Sequence, residues 1–309
     1  STLIGYLGDD GKGLAGMEYS MQNVLSPPEG TAGADGSGFS VFLTIDASIQ
    51  YMLQQIAERT MKNAQAEAVI FLAADAKTGE ILAYVNEPSA DLARFSVSTE
   101  AERFDRPAYF MYEPGSVFKI FSMASFLDLG STRDSSVYTC DAQFLFNPRQ
   151  QQEKSPNVIR CLRVHGQVTP RDIIRFSCND GLAQIADKTD AAAFAEKLRT
   201  FGFGKKTGIE LPGEAAGIFA PVSSWSARTK HTISFGQEIG VTSLQIMQAA
   251  TAFTNKGKTL KLSLLSEIRD ASGKTVHRHR PKPLAQVVSA ETAKTVLGYM
   301  QTAADDGTG

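Results

Sequence analysis

The segment at residues 117–129 constrains the fold more than any other stretch of this sequence. Read as a helix, it is apolar on nearly all sides, because its residues include Ile120, Phe121, Met123, Ala124, Phe126 and Leu127. Lys119 and Asp128 interrupt the segment, and it is too short to cross a bilayer. We therefore predict a buried central helix with other elements packed around it. A chain of 309 residues that is 42% hydrophobic has enough apolar surface to build that core.

Composition excludes several classes of protein. The chain carries 31 Lys+Arg against 33 Asp+Glu, and this balance argues against a dedicated nucleic-acid-binding protein. Three cysteines are too few for a fold built on disulfides. Residues 1–15 have neither the basic start nor the apolar core of a signal peptide.

Local patterns predict an α+β fold. Residues 41–45 read as a strand, and Asp46 reads as the N-cap of the helix that follows it. Residues 69–73 and 81–85 read as two strands joined by a turn at 75–79. Residues 131–168 are polar and are predicted to be irregular. Further helical patterns cover residues 170–186, 191–201 and 242–255.

The sequence Ser116-Val117-Phe118-Lys119 holds the most reactive pair of residue types. Residues three apart on a helix share a face, so the Lys119 amine can reach the Ser116 hydroxyl. Burial in the apolar helix would lower the pKa of the lysine and let it act as a general base. The alternative is an ordinary helical serine beside a lysine that reaches the surface, and the pattern alone favours that alternative.

A second motif, Ser177-Cys178-Asn179, lies between two helical patterns. Its hydroxyl and amide can both point into a cleft from a short loop. The alternative is that Ser177 and Asn179 cap the next helix. A similar triplet, Ser155-Pro156-Asn157, lies in the polar segment and is set aside.

Together these motifs resemble those of class B penicillin-binding proteins, the monofunctional peptidoglycan transpeptidases. Similar segments occur in order along nearly the whole chain, at residues 11–18, 43–46, 78–83, 112–119, 201–204, 207–214 and 235–245. The resemblance implies the α+β fold of penicillin-binding proteins and serine β-lactamases, an antiparallel sheet flanked by helices, here truncated at its C-terminal end. It also implies a pedestal remnant and linker at residues 1–38 and a transpeptidase domain at 39–309.

The family's third motif, Lys-Thr/Ser-Gly on a strand beside the site, has no match at its expected place. The triplet that begins at Lys77 lies on the predicted turn, and the one that begins at Lys206 lies in a loop. Both also precede the segment after which the family's triplet comes. The domain is therefore expected to be incomplete before its third motif.

The resemblance also implies roles for four residues. Ser116 would be acylated by D-Ala-D-Ala stem peptides or by β-lactams, and its own N–H would form half of an oxyanion hole. Lys119 would accept the proton of Ser116, and Ser177 would relay a proton to the leaving group. Asn179 would hold the substrate amide and the lysine. No cofactor, metal or nucleic acid is expected.

Location and partners follow from the same resemblance. A missing N-terminal helix would anchor the protein in the bacterial cytoplasmic membrane, with its catalytic domain facing the periplasm or the cell exterior. Its partners would be a cell-wall glycosyltransferase and a division or elongation complex, with division preferred. The alternatives are a serine β-lactamase or β-lactam sensor, and a non-catalytic scaffold for cell-wall assembly.

The cysteines and histidines have weaker interpretations. Cys140 and Cys161 could form a disulfide in an exported protein, and the sequence leaves this open. Cys178 is expected to be a buried filler. The four histidines show no metal-ligand spacing with cysteines or carboxylates.

Overall fold

A computed structural model of the chain describes residues 2–26, 38–146 and 158–309. Most of the predicted linker and the triplet that begins at Ser155 lie outside these residues. The helices are α1 Gly16–Ser20, α2 Gln22–Leu25, α3 Ala47–Ala64, α4 Glu100–Arg103, α5 Arg106–Tyr109, α6 Lys119–Asp128, α7 Pro170–Arg175, α8 Asn179–Lys188, α9 Ala191–Thr200, α10 Thr229–Ser234, α11 Ser243–Thr254 and α12 Ala290–Asp306. The strands are β1 Ser40–Leu43, β2 Val69–Ala74, β3 Ile81–Glu87, β4 Tyr138–Cys140, β5 Gln143–Leu145, β6 Val158–Arg160, β7 Gly166–Val168, β8 Lys258–Leu260, β9 Leu265–Arg269, β10 Thr275–Arg278 and β11 Pro283–Gln286.

The α+β class is confirmed, and the strand pairs that the structure describes are all antiparallel. Within the described ranges, however, the strands form several small sheets rather than one. Strands β1, β9 and β10 form a three-stranded sheet in the order β1-β9-β10. The predicted strand–turn–strand unit is the β2–β3 pair, in which Phe71 lies opposite Val85.

Helix α6 is the centre of the larger core, as its apolar sequence predicts. Phe121, Met123 and Phe126 are fully buried. The Phe121 ring packs against the rings of Phe201 and Phe203, with centroids 5.5 and 5.2 Å apart. The helix that begins at Lys119 is therefore surrounded by side chains from distant parts of the chain.

Local signals account for the element ends. The Asp46 carboxylate accepts hydrogen bonds from the N–H groups of Ser48 and Ile49, at 2.9 and 3.0 Å, and so caps α3 as predicted. The helical pattern predicted over residues 170–186 is two helices, α7 and α8, separated by the turn at residues 176–178.

The segment predicted to be irregular contains four short strands, so that prediction was wrong for its described part. β4 pairs with β7, and β5 pairs with β6. Along β4 the side chains alternate, since Tyr138 and Cys140 are buried and Thr139 is exposed. Strands of three residues give too short a pattern to be read from sequence.

The N-terminal residues pack on the rest of the chain. Leu3 and Met17 are buried in a second hydrophobic cluster with Ile81 and Tyr84 of β3. The predicted pedestal remnant thus contributes to this core. No helix in the described ranges combines the length and the apolar character needed to cross a membrane.

Candidate active site

Ser116 and Lys119 lie at the N-terminal end of the buried helix. Residues Gly115–Phe118 form one turn of 3-10 helix that leads into α6, and Gly115 has a φ of 59°. Ser116 is exposed, whereas Lys119 is only 2% exposed. The Lys119 Nζ donates a hydrogen bond to Ser116 Oγ at 3.1 Å. The predicted reach between amine and hydroxyl is therefore present.

Ser177 completes a triangle of polar groups with these two residues. The Lys119 Nζ also donates to the Ser177 Oγ at 2.8 Å and to its carbonyl oxygen at 2.7 Å. The Ser177 hydroxyl donates to the Ser116 Oγ at 2.9 Å. Ser177 has a φ of 53°, in the left-handed region that costs a non-glycine residue about 1–2 kcal/mol. Such strain is concentrated at functional sites.

Burial lowers the pKa of Lys119, so that its amine can act as a base. Desolvation lowers the pKa of Lys119 to about 8, and the Cys161 and Cys178 sulfurs oppose this shift. Near neutral pH a fraction of the side chain is a neutral amine with a free lone pair. That lone pair can accept the Ser116 proton over the same short distance.

Asn179 lies next to the triangle at the first position of α8. Its Nδ2 donates to the Arg160 carbonyl at 3.2 Å. No hydrogen bond between described residues joins it to Lys119, so the contact with the lysine implied by the resemblance is not seen. Its role toward a substrate stays a prediction.

The segment at residues 236–238 forms a wall behind Ser116, and sequence reasoning did not assign it a role. The Gly115 N–H donates to the Gly236 carbonyl at 3.0 Å. Gly236 has a φ of 80°, and a Cβ there would lie 2.2 Å from the Gly115 carbonyl oxygen. The Glu238 N–H donates to Glu113 Oε1 at 2.8 Å and joins this wall to the residues before the serine.

Comparison with known proteins identifies the family. Residues 69–309 match the family described as penicillin binding protein transpeptidase domain. The chain belongs to this family. The resemblance to penicillin-binding proteins drawn from the motifs is thus confirmed.

Relatives match along the whole length of this transpeptidase-family chain. It is 29% identical to stage V sporulation protein D of Bacillus subtilis, over 100% of this chain and 50% of that protein. The structure of penicillin-binding protein 3 from Mycobacterium tuberculosis in its apo form is 28% identical with a TM-score of 0.86, over 100% of this chain and 70% of that one. Its complex with ampicillin is 27% identical with a TM-score of 0.85, over 100% and 69%. The chain spans about half the length of the curated relative.

The two Lys-Thr-Gly triplets of this transpeptidase domain are structural, as predicted. Lys77 lies in the turn between β2 and β3, where its N–H donates to Asp75 Oδ1 at 2.7 Å. Thr207 lies in a loop, where the Glu214 carboxylate accepts from its N–H at 2.6 Å and from its hydroxyl at 2.5 Å. Neither triplet lies on a strand.

Sequence reasoning missed a cluster behind the Ser177 turn. The His165 Nδ1 lies 3.4 Å from Cys140 Sγ and 3.6 Å from Cys161 Sγ, and the sulfurs of Cys161 and Cys178 lie 3.9 Å apart. The sequence showed no metal-ligand spacing for the histidines, but the fold brings His165 next to the three cysteines. All three cysteines are free, and Cys178 is buried as predicted. The four-residue step from Cys161 to His165 was the available signal.

The cysteine thiols influence each other. The hydrogen bond between the sulfurs of Cys161 and Cys178, which lie 3.9 Å apart, lowers the pKa of Cys161 to about 4. The same contact, together with burial, raises the pKa of Cys178 well above its ordinary value. Thiolate character is thus concentrated on Cys161.

Proposed function

We propose that this chain carries the acyl-transfer site of a peptidoglycan D,D-transpeptidase and that β-lactams acylate the same serine. The observation that carries the proposal is the triangle of hydrogen bonds between Ser116, Lys119 and Ser177. Family membership supports it, as does the similarity to a penicillin-binding protein whose structure contains ampicillin.

The proposed reaction begins at the Ser116 hydroxyl. The neutral Lys119 amine accepts the hydroxyl proton while Oγ attacks the carbonyl carbon of the penultimate D-Ala. The C–N bond to the terminal D-Ala then breaks, and Ser177 relays a proton from Lys119 to the departing amine. An ester on Ser116 remains. The amine of a second stem peptide attacks this ester, forms the cross-linking amide and returns the proton to Ser116.

The position of the Ser116 backbone supports a role for its N–H in stabilising the negative charge that develops on the attacked carbonyl oxygen. Ser116 lies in the first turn of a continuous helical segment, where N–H groups lack intrahelical acceptors and the helix dipole favours negative charge. We propose that its N–H contributes half of the oxyanion hole. The Asn179 Oδ1 is the amide atom we assign to the substrate, since its Nδ2 donates to Arg160.

We propose that residues 39–309 are a transpeptidase domain, incomplete before its third motif, and that residues 1–38 are a pedestal remnant with a linker. Strand β2 pairs with β3 and has no second partner strand in the described ranges. Beside it lies a cavity of about 770 Å³ whose lining includes Ile70, Leu72, Met247 and Leu297. The free edge of β2 and the apolar side chains beside it support the proposal that further strands of the domain pair with β2. One of these strands would carry the Lys-Thr/Ser-Gly motif.

The substrate supports the proposed location. Peptidoglycan lies outside the cytoplasmic membrane, so a chain that cross-links it works in the periplasm or at the cell exterior. We propose a membrane anchor before residue 1 and a glycosyltransferase partner within a division or elongation complex.

Labelling with a fluorescent penicillin tests the proposal. We expect a chain extended past Gly309 to the length of its relatives to form a stable, covalent label. Ser116→Ala should abolish the label, and the exposed control Ser135→Ala should retain it. Rapid loss of the label would indicate a β-lactamase instead. No labelling of the folded, extended chain would overturn the enzymatic function and favour a scaffold.

A further inference from the structure

Three thiols and one imidazole converge behind the turn that carries Ser177. The ligand atoms of Cys140, Cys161, His165 and Cys178 all lie within 4.8 Å of one another. We propose that these four residues bind one zinc ion in a structural site. The inference is independent of the proposed function, because no ligand belongs to the Ser116 triangle.

The distances fit a tetrahedron around zinc. With zinc–sulfur bonds of about 2.3 Å and zinc–nitrogen bonds of about 2.05 Å, sulfurs lie about 3.8 Å apart and sulfur and nitrogen about 3.6 Å apart. The cluster has 3.9 Å between Cys161 Sγ and Cys178 Sγ. The His165 Nδ1 lies 3.4 Å from Cys140 Sγ and 3.6 Å from Cys161 Sγ, and all pairs of the four ligand atoms lie within 4.8 Å. A disulfide would need about 2.05 Å between two sulfurs and would leave the third thiol unpaired.

Surrounding groups hold the ligands in place. Cys178 is the N-cap of α8, and its Sγ accepts a hydrogen bond from the Gly181 N–H at 3.3 Å. The His165 ring stacks on Phe176 with centroids 5.6 Å apart and an interplanar angle of 7°. Contacts of this kind orient metal ligands and favour the thiolate form.

The ligand set selects the metal and its role. Three thiolates and an imidazole in tetrahedral geometry suit zinc, whereas magnesium and calcium take oxygen ligands. Four protein ligands complete the coordination shell, so no position remains for water or substrate, and the ion would be structural. Binding converts each protonated thiol to a thiolate and releases its proton to solvent.

The ion would join the small strand pairs to helix α8. Cys140 ends β4, Cys161 follows β6, and His165 precedes β7. Cys178 links these strands to the start of α8. Ser177 and Asn179 flank Cys178, and the carbonyl that Asn179 contacts belongs to Arg160, the neighbour of Cys161. Zinc at this point would therefore hold the strained Ser177 turn against β6.

Metal analysis of the purified chain tests the site. After dialysis without chelator, we expect about one zinc ion per chain by plasma mass spectrometry. His165→Ala should lose at least nine-tenths of that zinc. The exposed control His277→Ala should keep it. Equal zinc in both variants would overturn the assignment.

A second measurement covers the case in which His165→Ala does not fold. We expect the unmodified chain, stripped of metal and given Co²⁺, to develop the visible bands of tetrahedral cobalt and thiolate charge transfer. Zinc should restore a lowered melting temperature, whereas magnesium should not. Absence of the cobalt bands in the folded chain would overturn the proposal, as would an intact mass that is lower by two hydrogens from a Cys161–Cys178 disulfide.

Discussion

Two clusters share the turn at residues 176–178, and they differ in chemistry and in exposure. On the cleft side, hydrogen bonds join Ser116, Lys119 and Ser177, and Ser116 is open to solvent. On the inner side, Cys140 and Cys178 are fully buried. Ser177 and Cys178 are adjacent residues that serve opposite sides. The cluster around Ser116 can therefore bind a ligand from solvent, whereas the buried cysteine cluster can stabilise the backbone of the turn.

The two clusters also differ in how the chain assembles them. Ser116 and Lys119 are three residues apart on one helical segment. The sulfur cluster instead needs the pairing of β4 with β7, in which Cys140 lies opposite Gly166 next to His165. Short-range geometry therefore builds most of the first cluster, and tertiary structure builds the second.

The largest expected effect comes from removal of the amine on the cleft side. Lys119→Met should slow acylation by penicillin about 10²–10⁴-fold, because the variant lacks the general base that we propose. The zinc content should stay unchanged, since no ligand is altered. Stopped-flow labelling of the extended chain measures the rate, with the exposed Lys62→Met as control. If Lys119→Met were acylated at the wild-type rate, the cleft-side cluster would not depend on the lysine for acylation, contrary to the proposal.

Stability should depend on the backbone wall behind Ser116. Gly236→Ala should lower the free energy of unfolding by about 1–3 kcal/mol more than Gly273→Ala, because overpacking adds to backbone strain. Both glycines have similar φ values, 80° and 82°, but only Gly236 has atoms within 4 Å of an added Cβ. Urea denaturation measures both variants. Equal losses would show that the contact with Gly115 is unimportant.

The rate of acylation should depend on pH through the protonation of the Lys119 amine. Because the pKa of Lys119 is lowered to about 8, the neutral fraction rises with pH through that value. Acylation should therefore be about fivefold faster at pH 8 than at pH 7 and should level off above pH 9. Rates of penicillin acylation across this range provide the measurement. A rate that falls as pH rises would contradict a neutral lysine base.

The smallest effect should come from the strain at Ser177. Ser177→Ala and Ser177→Gly both remove the hydroxyl, but only glycine relieves the φ of 53°. The glycine variant should be more stable than the alanine variant by about 1 kcal/mol, while both are acylated slowly. Thermal unfolding compares them. Equal stabilities of the two variants would show that the positive φ at position 177 does not destabilise the protein.

Local signals made much of the fold predictable. Asp46 caps α3, and the apolar segment after Ser116 becomes the buried α6, because caps and periodicity act within a few residues. Helix α12 carried the same kind of signal and was missed. Its buried residues include Ala293, Val296 and Tyr299, at helical spacing.

The sulfur cluster could not be predicted in the same way. Its four ligands come from the end of β4, the connection between β6 and β7, and the start of α8, and their spacing follows no common zinc motif. The strands that bring them together are three residues long and lie in a polar part of the chain. The Ser116 triangle was predictable in part, because Lys119 and Ser116 share a face, but the approach of Ser177 depends on tertiary packing.

The close approach of Gly236 to Gly115 also limits how this protein can evolve. No side chain fits at position 236 without displacing the backbone in front of the serine, so selection has little freedom there. Changes in ligand preference must instead arise at exposed positions around the serine, such as Val117, which is 58% exposed. Substitutions that alter ligand preference are thus expected at the exposed edge of the cleft.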